Sequence, residues 1–146
     1  MAMDATRTVL VIEDNALIQD LVHDVLVDEG YCVLQASDGE AGLRVAASDR
    51  PGLILLDFGL PHMSGASVLT ELKHDPATSR IPVIAMTGQP ASLGAGALPI
   101  DGWIPKPFDI DALLAQVERF VDVPASTAPR MPVADSTPSL APAGAG

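Results

Sequence analysis

The chain has 146 residues, 48% of them apolar, which is enough for one domain with a core of its own. Its net charge of −11, with only Lys73 and Lys106 as lysines and the arginines scattered, excludes a surface built to hold nucleic-acid phosphates; basic protein surfaces fit better as partners. No apolar stretch is long enough to span a bilayer, residues 1–7 lack the pattern of a secretory signal, and the single cysteine, Cys32, excludes an intrachain disulfide or a multi-cysteine metal site. The expectation is a cytoplasmic protein with neither a nucleic-acid nor a membrane partner.

After a short N-terminal extension, residues 1–7, apolar runs alternate with helical patterns. Val9 to Glu13 reads as a strand. Asn15 opens a helix to about Glu29, with Leu17, Leu21 and Val25, and Ile18 and Val22, at i, i+4 spacing; Gly30 stops it. Tyr31 to Ala36 is a second strand. Asp38 or Ser37 caps a helix from Gly39 to Ala47, broken by Pro51-Gly52. Leu53 to Leu56 is the third strand. Ser64 caps a helix carrying Val68, Leu69 and Leu72, which ends near Asp75-Pro76. Ile81 to Met86 is the fourth strand and Gly102 to Ile104 a short fifth. Asp109 caps a last helix from Ile110 to about Val121, with Leu113, Leu114, Val117 and Phe120 inward. Strands apolar without alternation are buried on both faces, so the pattern predicts a doubly wound α/β fold with helices on both faces of a parallel sheet.

Two regions depart from this rhythm. Gly88, Pro90, Gly94, Gly96 and Pro99 leave room for at most a short turn where a fourth helix belongs, and a mobile or irregular segment is expected there. Residues 124–146 are rich in Pro, Ala, Ser, Thr and Gly and read as a disordered tail, because they cannot bury enough apolar surface to offset ordering entropy. The domain is therefore expected over residues 8–123.

Four strand-like runs end in polar groups. Glu13-Asp14 follows the first, Asp57 the third, Thr87 the fourth and Lys106 the fifth. A doubly wound sheet binds ligands outside the carboxyl ends of its strands. Glu13, Asp14 and Asp57 converge there if the first and third strands are neighbours. Three close carboxylates repel, so one proton is expected to be retained or a cation to be bound. The all-oxygen donor set favours Mg²⁺ over zinc. Lys106 can pair with a carboxylate or a phosphoryl oxygen, and Thr87 can donate a hydrogen bond to one. Asp57 is then a candidate nucleophile forming an acyl phosphate.

Taken together in order and spacing, Glu13-Asp14, Asp57 with Pro61 and Gly65, Met86-Thr87-Gly88 and Lys106-Pro107-Phe108 resemble the receiver domain of two-component response regulators, from about Thr8 to Val123. The resemblance implies a flavodoxin-like five-stranded sheet of order 2-1-3-4-5. It also implies Mg²⁺-dependent transfer of a phosphoryl group to Asp57 from a sensor histidine kinase or a histidine phosphotransfer protein. Output would be contact with a downstream protein target or onward relay, with autodephosphorylation but no turnover of outside substrates. By the same resemblance, Asp14, Asp57 and the carbonyl of Gly59 ligate the metal, Glu13 acts through water, and Lys106-Pro107 is a cis peptide. The interval from Thr87 to Lys106 is about one helical turn shorter than is common in the family, which resembles the subset with a reduced fourth helix. Trp103 stands where the family often has a smaller switch aromatic; a core ring under the last helix fits it equally well.

Plainer readings stand beside these. Asp57 could be a turn aspartate, Glu13-Asp14 could cap the first helix, Thr87 could be a turn residue and Lys106 a solvated lysine. His23, His62 and His74 are isolated and read as surface residues. As alternatives for the whole chain, a receiver-shaped interaction module that is never phosphorylated is weighed against by intact Asp57, Thr87 and Lys106. An aspartyl-phosphate phosphatase is weighed against by Gly59, which stands where such enzymes carry a second acid. A fragment of a hybrid kinase is the third alternative.

Overall fold

A computed structural model describes residues 7–60, 62–88, 99–107 and 109–121. Residues 89–98 of the expected irregular segment, the tail at 124–146, most of the N-terminal extension, Pro61 and Phe108 lie outside the described residues. Five strands, β1 (Thr8–Ile12), β2 (Cys32–Ala36), β3 (Leu53–Asp57), β4 (Val83–Thr87) and β5 (Gly102–Pro105), form one parallel sheet of order β2-β1-β3-β4-β5. Among the described residues there are four helices, α1 (Ala16–Asp28), α2 (Gly39–Asp49), α3 (Gly65–His74) and α4 (Ile110–Phe120). This is the flavodoxin-like order expected.

The inner strands β1, β3 and β4 are almost wholly apolar because each feeds two cores. Val9, Val11, Leu53, Leu55, Ile84 and Met86 point to one face, where Val22 and Leu26 of α1 and Leu113 and Val117 of α4 cover them. Leu10, Ile12, Ile54, Leu56 and Val83 point to the other, under Ala46 of α2 and Val68, Leu69 and Leu72 of α3. A one-residue slip in a strand would exchange the two sets, so register is strongly specified.

The predicted caps form as chemistry requires. Asn15 Oδ1 accepts from the N–H groups of Leu17 and Ile18, Asp38 Oδ1 from Ala41, and Ser64 Oγ from Ser67. Gly30 takes φ 95° after α1, a conformation glycine adopts without the steric cost of a Cβ. One expectation needs correction. α2 continues to Asp49, two residues beyond the expected end, and Arg50 closes it in the left-handed region, its N–H bonding to the carbonyl of Ala46. In α1 the buried residues are Gln19, Val22 and Leu26, whereas Leu17 is 81% and Leu21 44% exposed. Apolar residues lie almost all round this helix, so spacing alone did not set its rotation.

Candidate functional site

Parallel pairing places the strand ends side by side. Ile12 is level with Leu56, Asp57 with Met86, and Thr87 with Pro105. One further step of chain along β1 and β5 therefore brings Glu13 and Lys106 to the edge that already carries Asp57 and Thr87. Gly65 helps hold the loop after β3 in place. A Cβ there would fall 2.6 Å from Cα of Phe58, so only glycine lets α3 begin this close to the chain leaving Asp57.

The predicted residues meet in one cleft of about 580 Å³, lined by Glu13, Asp14, Asp57, Gly59, Thr87 and Lys106, together with Asn15, Ile18, Phe58 and Gly88. Glu13 is 1% and Asp57 3% exposed, and Thr87 is buried, while Asp14 faces solvent. Nζ of Lys106 lies 2.9 Å from Oε1 of Glu13 and 3.1 Å from Oδ1 of Asp57. The N–H of Gly59 donates to the same Oδ1 at 2.9 Å, and the N–H of Asn15 donates to Oε2 of Glu13 at 3.1 Å. Asn15 thus supports the acid as well as capping α1.

Carboxylate oxygens of Glu13, Asp14 and Asp57 lie within 4.8 Å of one another. One ammonium faces three acids. The Glu13 carboxyl is raised from the usual 4.5 to about 6: burial raises it most, Lys106 and the Asn15 N–H pull it down, and Asp57 pushes it up. Burial disfavours the charge on Lys106, but Glu13 and Asp57 outweigh it and hold the ammonium above its ordinary value. Glu13 thus takes up a proton on mild acidification, below about pH 6. An excess of buried negative charge with only oxygen donors fits a small hard divalent cation.

Trp103 is half-buried on β5, and its Nε1–H donates to the carbonyl of Thr87 at 3.3 Å. The backbone N–H of Lys106 donates to that same carbonyl at 3.0 Å. The indole is therefore tied to the end of β4 and not simply packed under α4. The Lys106-Pro107 peptide is cis. His23 is partly exposed and pairs with Asp24, and His62 and His74 are exposed, all away from the cleft.

One residue escaped the sequence reading. Gln19 is 8% exposed, and its Nε2 lies within 3.2 Å of the carbonyls of Val11, Glu13 and Ala36, directly behind the acidic pair. The available signal was a lone polar side chain three residues before Val22 and seven before Leu26, on the stripe that turns out to be inward.

This constellation at the carboxyl edge of a 2-1-3-4-5 sheet defines a class. Residues 9–118 match the response regulator receiver domain family, and the chain belongs to it. The DNA-binding dual master transcriptional regulator RpaA of Synechocystis is 37% identical over 119 residues, covering 77% of this chain and 48% of that protein. The polar-differentiation response regulator DivK of Brucella anthropi is 31% identical over 120 residues, covering 79% of this chain and 96% of that protein. The chain therefore spans about half the length of the first relative and nearly all of the second. Among solved structures, the receiver domain of the sensor histidine kinase PA1611 from Pseudomonas aeruginosa superposes with a TM-score of 0.72 and 28% identity, over 78% of this chain and 96% of that one; it is described with a magnesium ion coordinated in its active site cleft. The chain is a receiver domain of two-component signalling. No helix among its described residues is long and apolar enough to cross a membrane.

Proposed function

We propose that this receiver accepts a phosphoryl group on Asp57, in the cytoplasm, from the phosphohistidine of a sensor histidine kinase or a histidine phosphotransfer protein. The carboxylate oxygen of Asp57 not held by the Gly59 N–H and the Lys106 ammonium attacks phosphorus. The P–N bond breaks, the histidine leaves with the bonding electron pair, and an acyl phosphate forms. Asp14 and Asp57, with the Gly59 carbonyl, would hold Mg²⁺, and Glu13 would act through water. When bound, the ion supplies charge neutralisation at the phosphoryl oxygens. Lys106 turns from Glu13 and Asp57 to the new phosphoryl oxygens, and the Thr87 hydroxyl donates to another. Water later cleaves the acyl phosphate and returns Asp57. The observation that carries this reading is the Lys106 ammonium bridging two buried carboxylates beside a third.

A partner contact beside the cleft is supported by α1. Exposed Leu17 and Leu21 are flanked by Asp20 and Asp24, and a groove of about 170 Å³ runs between Ile18, Leu21, Lys106 and Pro107. An amphipathic helix with basic flanks fits this face. The signal then leaves by contact with a downstream protein or by onward relay. Incubation with acetyl phosphate and Mg²⁺, read by intact mass, tests the reading. One phosphoryl group should be added, Asp57→Asn should abolish the addition, and metal omission should suppress it. An unchanged mass for the unaltered chain would refute the proposal.

A further inference from the structure

Gln19 is the one buried polar residue of α1, and no step of the chemistry above uses it. Its Nε2 sits 3.2 Å from the carbonyl of Val11, 3.1 Å from that of Glu13 and 3.0 Å from that of Ala36. Two N–H groups thus serve three acceptors at the carboxyl ends of β1 and β2. The carbonyl of Ala36 also accepts from the N–H of Glu13 at 3.0 Å, so both sides of the Glu13 backbone are engaged by this one knot. The other end of the amide, Oε1, is buried and has no hydrogen-bond partner among the described residues. An unsatisfied buried oxygen costs about 1–3 kcal/mol. An apolar side chain of the same length would avoid that cost but would take the side-chain donor away from the carbonyls of Val11, Glu13 and Ala36, so the reason for a glutamine here lies at those carbonyls. What the amide does uniquely is clamp the peptide that turns Glu13 inward and Asp14 outward.

We propose that Gln19 is a positioning residue for the acidic site, setting cation affinity through the backbone of Glu13. This rests on the reading of the cleft as a Mg²⁺ site. Groups behind a metal ligand commonly change affinity by about 10–100-fold when removed.

The test is Mg²⁺ titration by calorimetry on the full chain, alongside urea denaturation. Gln19→Met keeps length and removes the donors; it should stay folded and bind Mg²⁺ about tenfold more weakly. Gln19→His, neutral at about pH 8, restores one N–H and should return much of that affinity. Unchanged affinity in Gln19→Met overturns the proposal. So does a loss of stability and affinity shared equally by both variants, which marks a merely structural role. Should the unaltered chain bind no Mg²⁺, the metal reading itself fails and this inference with it; that outcome is separable because it appears before any substitution.

Discussion

Replacing Lys106 by methionine removes the ammonium that bridges Glu13 and Asp57 while keeping most of the apolar stem. At 2.9 and 3.1 Å, and with an effective dielectric of about 20, each contact represents roughly 5 kcal/mol of attraction before desolvation is subtracted. Burying the ammonium offsets part of that gain. Removing one partner of a buried pair costs about 3–5 kcal/mol, and the lysine side chain retains 22% exposure, so the lower end applies: about 3 kcal/mol at neutral pH without metal. The loss should shrink in acid. Stripped of the cation, Glu13 loses the partner that pulls its carboxyl down, so its folded-state pKa rises further above the unfolded one. Stability from such groups is full below the unfolded pKa and lost as pH rises through the folded value. The variant should therefore recover most of its deficit near pH 5. Mg²⁺ should also recover part of it and bind more tightly than in the unaltered protein, because a competing positive charge has gone. Phosphoryl uptake from acetyl phosphate should fall sharply all the same. The assay is urea denaturation followed by circular dichroism at about pH 7.5 and 5, with EDTA or Mg²⁺. A loss under about 1 kcal/mol at neutral pH, or one that neither acid nor Mg²⁺ reduces, would show that the ammonium is not what balances these carboxylates.

The raised Glu13 carboxyl gives a second expectation. Because its pKa moves from 4.5 to about 6, the metal-free protein should lose about 2 kcal/mol as pH rises across that interval, and Glu13→Gln should flatten the profile; pH-dependent denaturation checks both. Protons and Mg²⁺ then compete, so Mg²⁺ affinity measured by calorimetry should decline below about pH 6 in the unaltered chain and far less in Glu13→Gln. Gly65→Ala forces a methyl group against the Phe58 backbone and should cost about 1–3 kcal/mol while slowing phosphoryl uptake, since the loop bearing Asp57 must shift; equal uptake at normal stability would show that the contact is relaxed elsewhere. Trp103→Phe deletes the donor to the Thr87 carbonyl and should cost about 1 kcal/mol by denaturation. Trp103 is also the sole tryptophan, so its emission should change when a phosphate analogue such as beryllofluoride engages Thr87; a silent indole would uncouple it from the site.

Much of the site was legible because each member is marked locally. Asp57, Thr87 and Lys106 each follow an apolar run, and a polar residue at that place in a doubly wound sheet has one edge to occupy. Gln19 was not legible in the same way. A glutamine in an apolar helix looks like any surface residue until the rotation of that helix is known. The i, i+4 spacing of Leu17 and Leu21 does not tell their face either: Ala16 to Asp28 offers apolar residues in nearly every direction, and the phase depends on how Val22 and Leu26 meet the sheet.

What the chain determined by itself was the succession of strands and helices, their caps, and the polar residues at the strand ends, because hydrophobic period and capping chemistry are written in short windows. Tertiary structure alone decided which acids share the lysine, why the Glu13 carboxyl is raised, where the indole N–H goes and what lies behind the acidic pair. Those outcomes depend on distance through space. Lys106 reaches Glu13 across 93 positions of sequence, and no local window carries the desolvation and charge that such a meeting creates.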